Sequence, residues 1–294
     1  GRDSDALSRD GDEAVETEAE PTADTWPALG PLALFPRGAG PGDALHRMLE
    51  QIDYPSLANG DLEDATAVVT RELDRAGLAT DLAGDVVTAL QQLVQTPLGG
   101  ELGSLRLADL EPNGWLNEMA FDLPLATARE RLVRSSGLAE VFRRHDGGRF
   151  GRDYGHQLQG LSVASRGFLT GSIDLVFRCG ERWWVADWKS NFLGQRDRCG
   201  PNDYGTRAME QLMASNHYPL QAHLYLVALH RYLRWRLPGY TPERHLGGYA
   251  YVFLRGVPGP IASHPADGVP GVLVERPPLQ RLLALDQLLR EGQP

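Results

Sequence analysis

Hydrophobic and polar positions alternate most regularly between Gly167 and Asn191, in two runs, GFLTGSIDLVFRC and RWWVADWKSN, that flank Gly180-Glu181. β-branched and aromatic residues with a period of two predict strands, and a glycine at the first central position suits a two-residue II′ turn, so the stretch is expected to be a β-hairpin. Cys179 then faces Arg182, and counting up the ladder brings Asp174 opposite Asp187. Side chains alternate across a strand. One face is therefore expected to carry Ile173, Leu175, Phe177, Trp184, Ala186 and Trp188, all apolar, and the other Ser172, Asp174, Val176, Val185, Asp187 and Lys189.

The remaining pattern is mostly helical before the hairpin and mixed after it. A helix is expected from Gly42-Asp43 through Ala44, Leu45, His46, Leu49 and Ile52, with Asp43 in its first turn as the helix dipole prefers. Apolar residues at helical spacing predict two more over Leu62–Ala76 and Leu82–Leu98, the first stopped by Gly77. Trp115–Leu125 has strand character. Beyond the hairpin come a polar loop, Phe192–Asn202, and a long helix over Gly205–Trp235 bent near Pro219. The strand His245–Arg255 follows, with Gly247 and Gly248 permitting close backbone approach. Val257–Pro278 reads as a connection, and a helix over Pro278–Arg290 closes the chain. The Pro/Gly-rich segment Trp26–Gly42 is expected to lie extended over the surface.

Composition changes this picture at one end. The chain has 294 residues, 42% of them hydrophobic, and a net charge of −10. Residues 1–25 contain nine acids against Arg2 and Arg9, −7 of that total, and few large apolar side chains. They are expected to form a disordered tail or linker, leaving 26–294 as the folded domain. An acidic total argues against gripping DNA, but the rest of the chain is near neutral and its basic residues cluster. Seven arginines (129, 131, 134, 143, 144, 149 and 152) stand among only three acids between 129 and 152. Guanidinium groups are preferred phosphate partners, which makes Arg143, Arg144, Arg149 and Arg152 candidates for DNA contact; an exposed basic helix face describes them equally well. No run of eighteen apolar residues and no signal-peptide pattern is seen, so no membrane association is expected. Two cysteines cannot build a disulfide framework or a four-cysteine iron–sulfur site, and a reducing cytoplasm is the expected compartment. No phosphate-binding loop of an ATPase is present.

The candidate chemistry lies on the polar face of the hairpin. Two facing carboxylates repel unless they share a proton or a cation, and oxygen ligands suit a hard divalent ion such as Mg²⁺. Lys189, two residues beyond Asp187 and on its face, is placed to orient a water or to neutralise charge developing on phosphorus. An Asp followed by Asp-x-Lys on a hairpin is the arrangement of the PD-(D/E)xK nucleases, although the same letters also make a surface ion pair. His46, beside an apolar stripe, is by itself most simply a core or capping residue. Glu118 is most simply a solvent-facing strand residue, the other reading being a further metal or lysine partner. Gln221 and Tyr225, four apart, share one side of a helix.

Longer segments carry a resemblance. FPRGAGPGDALHRMLE, GFLTGSIDLVFR, ADWKSNFLG, YPLQAHLYLVALHRYL and GGYAYVFLRG together resemble the C-terminal nuclease domain of the RecB family, part of the RecBCD helicase-nuclease (exodeoxyribonuclease V). The resemblance implies an α/β fold with a restriction-endonuclease-like core, a mixed central sheet flanked by helices. It implies that His46, Asp174 and Asp187 hold Mg²⁺, that Lys189 is catalytic, and that Gln221 and Tyr225 position substrate or active-site groups, with Glu118 as possible support. It further implies single-stranded DNA delivered by a helicase as substrate, with a RecB-type helicase portion and RecC-like and RecD-like subunits as partners. The acidic start resembles the tether between motor and nuclease, so the chain is expected to be an isolated or processed domain or a separately encoded relative. The rival reading is a non-catalytic DNA-holding or scaffold module with a related fold.

Overall fold

The computed structural model describes residues 29–126, 131–261 and 268–293. The expected acidic tail at 1–25 and Arg129 lie outside them. Four helices come first, α1 (Ala39–Gln51), α2 (Tyr54–Ala58), α3 (Glu63–Arg75) and α4 (Ala83–Gln95). Strand β1 (Trp115–Leu125) leads to β2 (Val133–Arg134), α5 (Ser135–Arg144), α6 (Arg152–Leu158) and β3 (Ala164–Ser165), the two short strands pairing with each other. The hairpin is β4 (Gly167–Cys179) and β5 (Arg182–Lys189). After it come α7 (Thr206–Ser215), α8 (Tyr218–Arg236), α9 (Pro242–His245), β6 (Leu246–Phe253), β7 (Val272–Glu275) and α10 (Leu279–Glu291).

The hairpin has the expected register, Cys179 against Arg182 and Leu175 against Ala186, with Gly180 at φ 59° in its turn. It forms the middle of a five-stranded sheet in the order β1-β4-β5-β6-β7, in which β5 and β6 run parallel and every other pair antiparallel. Both faces of its middle strands are covered. Leu175, Phe177, Trp184, Ala186 and Trp188 pack with α1 to α4, while Val176, Val185, Tyr249, Tyr251 and Phe253 pack with α5 to α8 and α10. Strand β6 is buried along its whole length, and its apolar run fits a strand enclosed on both faces. The paired glycines make this possible. A Cβ on Gly247 would lie 2.6 Å from the Trp184 ring, and one on Gly248 would lie 2.0 Å from the Glu275 carbonyl oxygen.

Several expectations need correction. Ile173 packs with the α8 side rather than with Leu175 and Phe177. The cause is a break in alternation: Glu118 in β1 has φ 50°, and the β1–β4 register runs Asn117 to Leu175 and then Met119 to Ile173, omitting Glu118 and Asp174. Residues 29–38 are not simply laid over the surface, because Leu32 and Phe35 are buried in the α1–α4 core. Buried Arg255 clamps that segment, donating to the carbonyls of Leu32 (2.7 Å), Phe35 (2.9 Å) and Pro36 (2.8 Å) and to that of Ser190 (2.9 Å). Helix α1 starts at Ala39, so Asp43 falls outside its first turn. The long helix is two helices, α7 and α8, separated by His217 at φ 56°, with Pro219 in the first turn of α8, where its missing N–H costs nothing. The connection after Val257 contains the edge strand β7, too short for its pattern to stand out.

Candidate active site

The hairpin ladder stops at Leu175 and Ala186, and the two strands part beyond it. Strand β5 stays with β6, pairing Asp187 with Tyr251 and Lys189 with Phe253, while β4 turns towards β1. The fork opens at the carboxyl ends of two adjacent parallel strands, where ligand crevices form in α/β sheets. Asp174 stands on one prong and Asp187 on the other. The Trp188 backbone N–H donates to Asp174 Oδ2 at 2.8 Å and fixes the carboxylate across the gap.

His46 comes from α1. That helix approaches the end of β5 closely because position 42 is glycine; a Cβ there would lie 2.8 Å from Ser190 Oγ. One turn later, His46 Nδ1 lies 3.5 Å from Asp174 Oδ1. Burial pushes the imidazole pKa down, but the Asp174 charge and hydrogen bond, with Asp187 behind them, outweigh burial and raise it to about 9. Burial also pushes the Asp174 carboxyl up, and His46, the Trp188 N–H and Lys189 together bring it below its ordinary value.

Lys189 Nζ sits 2.8 Å from Asp187 Oδ2, with both side chains almost completely buried. Its ammonium lies over the Tyr218 ring, 4.1 Å from the centroid, and 5.5 Å from that of Tyr251. Tyr218 donates to Asn191 Oδ1 at 3.2 Å. Gln221 links helix to strand: its Oε1 accepts from Tyr251 (2.8 Å) and its Nε2 donates to Tyr225 (3.0 Å). Glu118 is at the rim, accepting from Ser172 Oγ at 2.6 Å; burial, then Asp174 and Glu50, raise its pKa.

The structure thus brings His46, Asp174, Asp187 and Lys189 together, with Gln221 and Tyr225 behind them and Glu118 at the edge. Tyr218, Tyr251 and Asn191 belong to the same cluster and escaped the sequence reading. The available signal was the i, i+3 spacing of Tyr218 and Gln221 on one helix face. The basic candidates lie elsewhere, on α5, α6 and the loop between them. Each has an acidic partner: Arg143 (2.6 Å) and Arg144 (3.3 Å) with Glu140, Arg149 with Glu210 (2.5 Å), and Arg152 with Asp146 (3.7 Å). These pairs reduce the local positive field that the sequence suggests.

Among the described residues, no three His, Cys, Asp or Glu side chains gather as a ligand cage. The donor chemistry nevertheless fits a hard divalent ion, which commonly takes one or two protein carboxylates and completes its shell with water and phosphate oxygens. Asp174 and Asp187 are the carboxylates that would hold such an ion. His46 would be a third donor once its imidazole is neutral.

Two parting strands that present Asp174 and Asp187-x-Lys189 at the carboxyl end of a mixed, helix-flanked sheet define a class of phosphodiester-cleaving proteins. The sequence profile of the PD-(D/E)XK nuclease superfamily matches residues 35–289, and the chain belongs to that superfamily. It is 37% identical over 280 residues to the RecBCD enzyme subunit RecB of Mycobacterium tuberculosis, covering 89% of this chain and 24% of that protein. With the RecBCD enzyme subunit RecB of Escherichia coli it is 35% identical over 235 residues, 80% of this chain and 18% of that one. The chain therefore spans about a quarter or less of the length of these relatives.

Proposed function

We propose that this chain is a Mg²⁺-dependent deoxyribonuclease that hydrolyses phosphodiester bonds in single-stranded DNA, as the nuclease portion of a RecBCD-like helicase-nuclease. The observation that carries the reading is the convergence of Asp174 and Asp187 with His46 and Lys189 at the fork between β4 and β5. A bound divalent ion would supply Lewis acidity towards the scissile phosphate and lower the pKa of an attacking water. Asp174 and Asp187 would hold it, with His46 as the third donor. Lys189, held by Asp187 and the Tyr218 ring, is placed to orient the water or to stabilise charge on the pentacovalent phosphorus. Gln221 and Tyr225 keep the α8 wall in place through Tyr251.

Likeness to RecB subunits of RecBCD enzymes supports DNA as substrate and RecC-like and RecD-like subunits with a helicase portion as partners. A cytoplasmic site of action is part of the same proposal. No described helix is long and apolar enough to cross a membrane.

The test is incubation of the purified chain with single- and double-stranded DNA in Mg²⁺, Ca²⁺ or EDTA, without ATP. Cleavage is expected in Mg²⁺ alone and faster on single strands, and Asp187→Asn is expected to abolish it. Ca²⁺ is expected to raise the melting temperature of the wild-type chain and not that of Asp187→Asn, since a ligand stabilises only the state that binds it. DNA binding of equal strength with and without the ion, and no cleavage, would establish the DNA-holding module instead.

A further inference from the structure

The break in alternation at Glu118 and Asp174 has a second effect, on the outer half of the β1–β4 ribbon. Past that point Met119, Leu123, Leu125 and Ile173 turn into the α8-side core, and Phe121 and Leu169 pack against it. The residues between them face the opposite way. They form three cross-strand pairs, Ala120 with Ser172, Asp122 with Thr170, and Pro124 with Phe168. On this side the outer ribbon lacks helical cover: among the described residues α1 is hydrogen-bonded to β1 at Asn117, whose Nδ2 donates to the carbonyls of Leu49 (3.3 Å) and Glu50 (2.9 Å). Ala120, Asp122, Pro124, Phe168 and Thr170 are accordingly exposed. Phe168 stands out among them, since 70% of a large aromatic side chain is in solvent.

We infer that this bare ribbon face is a shelf on which single-stranded DNA lies with its bases against the protein, and that Phe168 is the stacking residue at its outer end. The inference rests on the proposed nuclease function. Three arguments select this occupant. The shelf is continuous with the site, because Ser172 bonds Glu118 and Asp174 follows two residues later on the same strand. Its surface is small and flat apart from one aromatic ring, which suits the π-face of a base without regard to sequence. Its acids, Asp122 and Glu118, repel phosphates and so favour bases rather than backbone on this side. A duplex keeps its bases stacked inside and gains nothing from the ring. Phe168 and Asp174 are six positions apart along the strand, about 20 Å. That is about six nucleotides at a stacked rise of roughly 3.4 Å, fewer when the strand is extended.

The experiment compares wild type, Phe168→Ala and Phe168→Trp on oligodeoxythymidylates of decreasing length and on a blunt duplex. Phe168→Ala is expected to raise KM for long single strands roughly 5- to 100-fold, the usual range for loss of one base–aromatic stack, with kcat unchanged. Phe168→Trp restores KM, the duplex is unaffected, and the difference vanishes for oligonucleotides too short to reach from the site to the shelf. Because the ring is in solvent, thermal unfolding of Phe168→Ala should match wild type. A wild-type chain that cuts normally while Phe168→Ala keeps its KM overturns the shelf and leaves the nuclease reading intact. A wild-type chain that neither binds nor cuts DNA overturns both.

Discussion

At the level of single residues, the Asp187–Lys189 pair shows how burial sets function and stability against each other. Two charges removed from water are tolerable only together, and removing one partner of a buried pair costs about 3–5 kcal/mol because the other is stranded. Lys189→Ala therefore has two consequences: kcat should fall about 100- to 1,000-fold, the loss typical of one positioned group that stabilises transition-state charge, and urea stability should fall as well. Lys189→Met keeps the aliphatic stem and tests stability against the same missing charge. A kcat for Lys189→Met within tenfold of wild type would remove Lys189 from the chemistry. A different histidine is expected to contribute to acid stability. His223 is fully buried on α8 between the Phe142 and Tyr249 rings, its Nδ1–H donating to the Pro219 carbonyl while Arg281 of α10 faces Nε2 at 3.4 Å. Burial, and then the Arg281 charge, depress its pKa from 6.5 to about 3. Below pH 6.5 the unfolded chain takes up a proton that the folded chain refuses. Stability from this group is complete above that pH and declines towards pH 3, by up to about 1.4 kcal/mol per pH unit. Urea midpoints measured between pH 7 and pH 4 should fall less steeply for His223→Gln than for wild type, and parallel slopes would show that His223 does not titrate in this way.

Secondary-structure elements depend on how closely they approach one another, and glycine permits that approach at positions 42, 247 and 248. Gly248 lets β6 lie against β7, where a methyl group would sit 2.0 Å from a backbone oxygen that cannot move aside. Gly248→Ala is expected to cost at least about 3 kcal/mol, beyond ordinary overpacking, because strand rather than side chain must shift. Gly40, in the first turn of α1, has open space around the corresponding position. Gly40→Ala should instead be neutral or stabilise by about 0.4–1 kcal/mol, since only the unfolded chain loses freedom. Chemical denaturation of the two variants side by side checks both statements. The hairpin and α1, α3, α4, α10 and β6 were legible in the sequence to within a few residues because long apolar periods dominate them. Strand β7 was not, since four residues in a Pro/Gly-rich stretch give periodicity too little length. The α7–α8 break was read as a bend because a proline marks a helix start as readily as a kink, and the left-handed residue, His217, carries no sequence signal of its own.

Across the whole molecule, the sheet is a wall between two cores, and the site lies where its strands fork. Arg255 ties this arrangement together. Its guanidinium reaches four carbonyls, three from residues 32–36 and one from Ser190, joining the segment before α1 to the end of β5 next to Lys189. A lysine cannot reproduce that planar fork. Arg255→Lys should lower stability by about 2–4 kcal/mol, as buried carbonyls lose charge-assisted bonds, and should lower cleavage as α1 and His46 drift from Asp174. A Ca²⁺-induced rise in melting temperature as large as that of wild type would argue against the second effect.

The sequence by itself determined the hairpin and its register as far as Leu175 and Ala186, the placement of Lys189 two residues beyond Asp187 and the family resemblance, because strand alternation and turn chemistry are local and count along the chain. Only the tertiary structure decided that His46, 128 residues before Asp174, closes on it across the core. It alone decided that the strands part at the two acids, that Tyr218 and Tyr251 wall in the lysine, and that Arg143, Arg144, Arg149 and Arg152 each have an acidic partner. Contacts between distant segments arise when helices pack on a sheet at distances set by side-chain volume, and no periodicity in a linear sequence records which residues will then meet.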